Sequence, residues 1–145
     1  MFEISLITNP QRIRHCVEAC EDTMPFMSRD NAPELLAKIQ QYAVFLEAAE
    51  DGKTVGYCAF YANDSETRRA YISLICILKE KQKMKYGRQL LDRCIEESRQ
   101  RGMKTLRLEV LDDNLNAIGF YKHCGFTYEK KCSETSSYYL LKISD

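Results

Sequence analysis

Residues 72–101 read ISLICILKEKQKMKYGRQLLDRCIEESRQR, and this stretch decides the fold. Ile72 to Leu78 is an apolar run of strand length. A basic loop follows. From Tyr86 the apolar residues Tyr86, Leu90, Leu91, Cys94 and Ile95 fall on one helical stripe, and Gly102 supplies a C-terminal signal. The stretch is therefore a strand, a short loop holding Gln82 and Gly87, and a helix N-terminus. Such an N-terminus offers N–H groups without helical acceptors and the positive end of the macrodipole, so it holds a phosphate. Lys83, Lys85 and Arg88 add formal positive charge at the same place. The bland alternative is a solvated connection that happens to carry lysines.

A chain of 145 residues fits one domain with a core of its own. Lys plus Arg and Asp plus Glu number 21 each, so no global field points to nucleic acid or to a membrane surface. No apolar run reaches membrane-spanning length, and Met1 to Pro10 lacks the layout of a signal peptide. The seven cysteines include no CxxC pair and several lie on apolar faces, which suits reduced thiols and a cytoplasmic chain. His15, Cys16 and Cys20 share one helix without a second set of partners, which reads as core packing and not as a metal site.

On the N-terminal side, Phe2 to Thr8 reads as a strand, and Asn9-Pro10 as an N-cap with proline at the first helical position. Ile13, Cys16, Val17 and Cys20 form the apolar face of that helix. After a break over Asp22 to Asp30, Asn31 and Glu34 have the spacing of a capping box for a second helix, to about Gln41. Tyr42 to Ala49 and Thr54 to Tyr61 read as strands joined by a turn at Glu50-Asp51-Gly52-Lys53. On the C-terminal side Lys104 to Leu111 alternates, with Leu106, Leu108 and Val110 on one face and Arg107 and Glu109 on the other. A short helix, Leu115 to Cys124, stops at Gly125, and Phe126 to Lys131 and Tyr138 to Ile143 are strands. The order β α α β β β α β α β β gives a mixed α/β (α+β) domain over residues 1–145, antiparallel at its start, with a right-handed helical crossover after the central strand.

Residues 106–126, LRLEVLDDNLNAIGFYKHCGF, carry a resemblance. A Leu-x-Leu-x-Val strand leads to Asn114, Ala117 and Tyr121, with Gly125-Phe126 close behind. Gln82, Lys83, Met84, Lys85, Tyr86 and Gly87 stand where an Arg/Gln-x-x-Gly-x-Gly/Ala loop would. In these motifs, their order and spacing, the chain resembles the GNAT superfamily of acetyl-CoA-dependent N-acetyltransferases. Lys85 departs from the pattern, occupying the place of the first glycine.

The resemblance implies a mostly antiparallel sheet splayed between its fourth and fifth strands and flanked by about four helices. It implies acetyl-CoA as cosubstrate, with pantetheine against the backbone of Ile75, Cys76 and Ile77 and the pyrophosphate on Gln82 to Arg88. Asn114 would hydrogen-bond the cosubstrate, cap its helix, or do both. Tyr121 would be the general acid, since a phenol of pKa near 10 suits a departing thiolate; otherwise it is a core tyrosine. Glu109 would be the base, directly or through water; otherwise it pairs with Arg107 on the strand surface. The acceptor would be a primary amine of a small molecule or peptide, met by Cys20 to Asn31, Asn63 to Arg69, Tyr71 and Ser73. Glu21, Asp22 and Asp30 favour a cationic amine there, while Arg29, Arg68 and Arg69 favour an anionic one. The rival reading is a non-catalytic protein of the same fold that binds acyl-CoA or a partner, with Tyr138 to Leu141 as the apolar patch of a homodimer.

Overall fold

Apolar periodicity and turn chemistry between them account for the element order. In the computed structural model, which describes residues 1–145, the chain runs β1 (Phe2–Ile7), α1 (Pro10–Ala19), α2 (Ala32–Tyr42), β2 (Val44–Glu50), β3 (Lys53–Tyr61) and β4 (Arg69–Ile77). A 3₁₀ segment over Lys79–Met84 leads to α3 (Tyr86–Gln100), β5 (Thr105–Leu111), α4 (Leu115–His123), β6 (Thr127–Lys131) and β7 (Ser136–Lys142). The seven strands follow the order β1-β2-β3-β4-β5-β7-β6. β1–β2, β2–β3, β5–β7 and β6–β7 are antiparallel, and β4–β5 is parallel, as the crossover helix demands. The β4–β5 ladder pairs Arg69–Tyr71 with Thr105–Arg107, and both strands run on beyond it, β4 to Ile77 and β5 to Leu111. Two compact units divide the chain: residues 1–61 with 73–94, and residues 62–72 with 95–145.

The first unit buries Ile13, Cys16 and Val17 of α1, Leu36 and Ile39 of α2, and Phe45, Tyr57 and Leu74 of the strands. Asn9 caps α1, its Oδ1 accepting from Arg12 N at 3.0 Å, with Pro10 inside the first turn. The capping box expected at Asn31 does not form. With ψ near 18° Asn31 is not extended, so its side chain makes no cap bond and α2 starts on Ala32-Pro33 instead. Tyr42, expected to open a strand, closes α2. The β2–β3 hairpin turns on Asp51 and Gly52, both left-handed at φ 51° and 83°, which matches the right-handed twist of the strands. Burial pushes the Cys16 thiol up to about 12; the Cys76 thiol and burial push Cys20 upward, and burial does the same to Cys58. All seven cysteines are free thiols.

Glu47 of β2 is the buried charge of this unit, 4% exposed. Arg12 holds it bidentately, Nε to Oε1 at 2.9 Å and Nη2 to Oε2 at 2.6 Å, and the Thr54 hydroxyl also donates to it. Burial pushes its pKa up, but the bonds from Arg12 and Thr54 prevail and hold the carboxyl below its ordinary value. A depressed folded-state value adds stability above the unfolded pKa of about 4.3, and that stability is lost as pH falls through the folded value. Glu47→Gln is therefore expected to cost about 2 kcal/mol at pH 7, discounted from a fully buried pair because Arg12 is partly exposed. Urea unfolding at pH 7 and pH 3 checks this, the deficit narrowing at the lower pH.

In the second unit Leu106, Leu108 and Val110 are buried on one face of β5 while Glu109 is exposed on the other. α3 ends in a Schellman turn: Met103 N donates to Ser98 O, Gly102 N to Arg99 O, and Gly102 takes φ 83°. α4 ends the same way, with Phe126 N on Tyr121 O, Gly125 N on Lys122 O, and Gly125 at φ 100°. β7 lies between β5 and β6, so it is an interior strand. Of the residues read as an apolar patch, Tyr139 is buried and Tyr138, Leu140 and Leu141 are partly buried, none of them fully exposed.

Candidate active site

In the first unit the end of β4 is fixed from both sides. A Cβ on Gly56 of β3 would meet Cys76 O at 2.4 Å and Ile77 Cδ1 at 2.6 Å, so only glycine allows β3 to lie this close to Ile75–Ile77. Leu78 N donates to Val55 O at 2.7 Å. Gln82, expected on a phosphate, turns its side chain back to Ile77 O at 3.0 Å and closes the strand end. Lys81 pairs with Glu50 at 2.6 Å. Tyr86 also donates to Glu50 and stacks on Phe2 at 3.8 Å between ring centroids. The Lys81 and Tyr86 bonds hold the Glu50 carboxyl below the usual range. The side chain of Tyr86 is thus spent, leaving its backbone N–H.

Lys85 sits between the 3₁₀ segment and α3 in the left-handed conformation, φ 63° and ψ 17°. α3 starts directly after this turn, and because its first helical bond comes from Gln89 N to Lys85 O, the N–H groups of Tyr86 and Gly87 have no acceptor within the helix. Lys83 and Lys85 carry no ion pair, whereas Arg88 pairs with Asp92 at 3.1 Å. These donors and cations suit a pyrophosphate. The position thus needs positive φ, and lysine pays for it. A left-handed non-glycine residue costs roughly 1–2 kcal/mol, part of which glycine returns in chain entropy, so Lys85→Gly is expected to raise unfolding stability by about 0.5 kcal/mol. Urea denaturation measures it.

In the second unit Glu109 accepts a hydrogen bond from Ser136 Oγ at 2.6 Å. The expected Glu109–Arg107 pair does not form. Arg107 binds Glu129 bidentately, at 2.9 and 2.7 Å, and lies 4.2 Å from the centre of the Tyr138 ring. Burial, and then the nearby Glu109 charge, push the Tyr71 phenol up to about 12. Asn114 caps α4, its Oδ1 accepting from Ala117 N at 3.2 Å. Tyr121 is half-buried, edge-on to Phe120 and Phe126 at 5.3 and 5.6 Å.

Two acceptor-side expectations change. The Glu21 carboxylate takes N–H bonds from Met27 at 2.9 Å and from Phe26, which hold it below the usual range and commit it to the Asp22–Asp30 turn. Arg68 lies at the N-terminal ends of β4 and β5, lining a 210 Å³ pocket with Asn63, Ser65, Arg101 and Met103. Glu109 and Asn114 stand at the other end of β5. Ser136 and Glu129 went unseen in the sequence, because only the pairing of β5, β7 and β6 brings them to Glu109 and Arg107.

A family model described as the Acetyltransferase (GNAT) family matches residues 13–126. The chain belongs to the GNAT family of acetyltransferases. No curated protein matches its sequence. Its fold is similar to that of the ribosomal-protein-S18-alanine N-acetyltransferase of Escherichia coli, at TM-score 0.81 and 21% identity, over 100% of this chain and 96% of that one. A GNAT acetyltransferase of Staphylococcus aureus aligns at TM-score 0.82 and 19% identity, over 99% and 100%. The PaiA N-acetyltransferase of Thermoplasma acidophilum, solved with coenzyme A, aligns at 0.76 and 17%, over 98% and 99%. The mixed sheet with its parallel β4–β5 pair is the GNAT fold. No group of three or more His, Cys, Asp or Glu residues could hold a metal ion, and no helix is long and apolar enough to cross a membrane.

Proposed function

We propose that the chain moves an acetyl group from acetyl-CoA to a primary amine of a small molecule or peptide, by direct attack of the amine. The observation that carries this reading is Glu109: an exposed strand carboxylate, held by a serine and not neutralised by Arg107. In this reading the backbone of Ile75, Cys76 and Ile77 binds pantetheine. The segment Lys83 to Arg88 binds the pyrophosphate, through the N–H groups at the start of α3 and the charges of Lys83 and Lys85. Gln82 shapes that loop through its bond to Ile77, and Met84, exposed beside it, borders the cosubstrate. Asn114 fixes the start of α4 and with it the reach of Tyr121.

The protonated amine first gives a proton to Glu109, directly or through one water; the free nitrogen then forms the new C–N bond, and the second proton it sheds as the amide forms passes to solvent. The C–S bond breaks, and the thiolate takes the phenolic proton of Tyr121. A reducing, cytoplasmic location accords with the seven free thiols.

The test is thiol release from acetyl-CoA with a panel of primary amines, run beside calorimetric titration with coenzyme A. Amine-dependent release supports transfer. Tight binding with no release for any amine supports the non-catalytic reading, to which the strained Lys85 lends its weight.

A further inference from the structure

Ser136 is 1% exposed, and its hydroxyl donates to Glu109 Oε2 at 2.6 Å. A serine hydroxyl has one proton to give. With that proton on Glu109, the 2.9 Å contact between the Ser133 and Ser136 hydroxyls is donated by Ser133. Ser133 Oγ in turn accepts from Thr135 N at 3.2 Å. The bonds therefore run one way, from a backbone N–H through two hydroxyls to one oxygen of the carboxylate. Each link polarises the next, and the burial of Ser136 keeps water from replacing it.

Glu109 lies opposite Tyr138, and Ser136 lies opposite Leu111, two positions along the same antiparallel pair. An exposed glutamate on a strand has three rotatable bonds and samples many positions unless something holds it. The rest of its surroundings does not: Arg107 is taken by Glu129 and lies over Tyr138. Ser136 is the one side chain that fixes Oε2, and Oε1 is left for the amine's proton.

We infer that Ser136 is a positioning residue for the reaction, acting through Glu109. The inference rests on the proposed role of Glu109 as base. Its effect is orientation: a proton acceptor held within hydrogen-bond reach works better than one that wanders, and a misplacement of an ångström can cost a hundredfold.

A double-mutant cycle tests it, with wild type, Ser136→Ala, Glu109→Gln and the double variant assayed for thiol release from acetyl-CoA with a primary alkylamine. Ser136→Ala is expected to lower kcat about tenfold in the wild-type background, with KM nearly unchanged, and by less than twofold when Glu109 is already Gln. An equal factor in both backgrounds would make Ser136 merely structural and overturn the inference. If Glu109→Gln alone leaves kcat unchanged, the base reading itself falls, a distinct outcome. A measurement independent of turnover follows the ¹³C-labelled Glu109 carboxylate by NMR relaxation. Ser136→Ala should mobilise it and Ser136→Thr should keep it ordered, and unchanged order in Ser136→Ala would also overturn the inference. Thermal melting of both Ser136 variants separates these effects from a failure to fold.

Discussion

Tyr121→Phe is expected to lower kcat by roughly 10²–10⁴ while leaving coenzyme A affinity within a few fold. The substitution removes one oxygen and keeps the ring. That ring packs edge-on between Phe120 and Phe126, an arrangement phenylalanine reproduces. The backbone beneath is fixed independently, by the bond from Phe126 N to Tyr121 O and by the left-handed Gly125 that closes α4. What the variant loses is a proton donor. An ordinary phenol remains protonated at neutral pH and is stronger in its match to a leaving thiolate than water, so its absence is felt where the C–S bond breaks. Steady-state kinetics with a turned-over amine, beside calorimetric binding of coenzyme A, separates the two effects. An unchanged kcat, with chemistry shown to limit the rate, would return Tyr121 to a packing role.

The parts of this fold that were legible in the sequence are local ones. Asn9-Pro10, Asp51-Gly52, Gly102 and Gly125 each encode a cap or turn through residues within a few positions, and each adopts the conformation its chemistry prefers. The start of α3 at Tyr86 was legible through its apolar stripe, whereas the 3₁₀ turn before it was not. The lysine at the motif's glycine position proved to hold the left-handed turn in spite of its Cβ. Asn31 shows the limit of local reading: the spacing to Glu34 was right, but the backbone entering α2 did not supply the extended conformation a cap needs.

The interactions that define the site were harder to read because they join distant segments. Glu109 and Ser136 are 27 positions apart, Arg107 and Glu129 are 22, and Tyr86 and Glu50 are 36. Strand order and register decide which of the many carboxylates meets which cation, and no single stretch of sequence contains that choice. The polar run Ser133 to Ser137 illustrates it. As sequence it is a turn of small residues; once β7 pairs with β5 it becomes the anchor of a carboxylate.

Glu109→Gln is expected to lower kcat at neutral pH by about 10²–10³, the usual contribution of a positioned base. The amide keeps the size of the side chain and can still accept from Ser136, so packing and the 2.6 Å contact should survive. It cannot take a proton. At neutral pH an alkyl amine is almost entirely protonated and must shed a proton before its nitrogen can attack. As pH rises toward the amine's own pKa, free amine accumulates in solution and the base becomes less necessary. The variant's deficit should therefore shrink with rising pH, so that its profile is steeper than that of wild type. A structural Glu109, serving only to receive the Ser136 hydroxyl, predicts otherwise: parallel profiles and a stability loss below about 1 kcal/mol, as for other solvent-exposed hydrogen-bonded carboxylates. The two cases are told apart by kcat measured over several pH values for both proteins with one amine, and by urea unfolding of both. Parallel profiles would leave solvent as the proton acceptor and confine Glu109 to holding β5 and β7 in register.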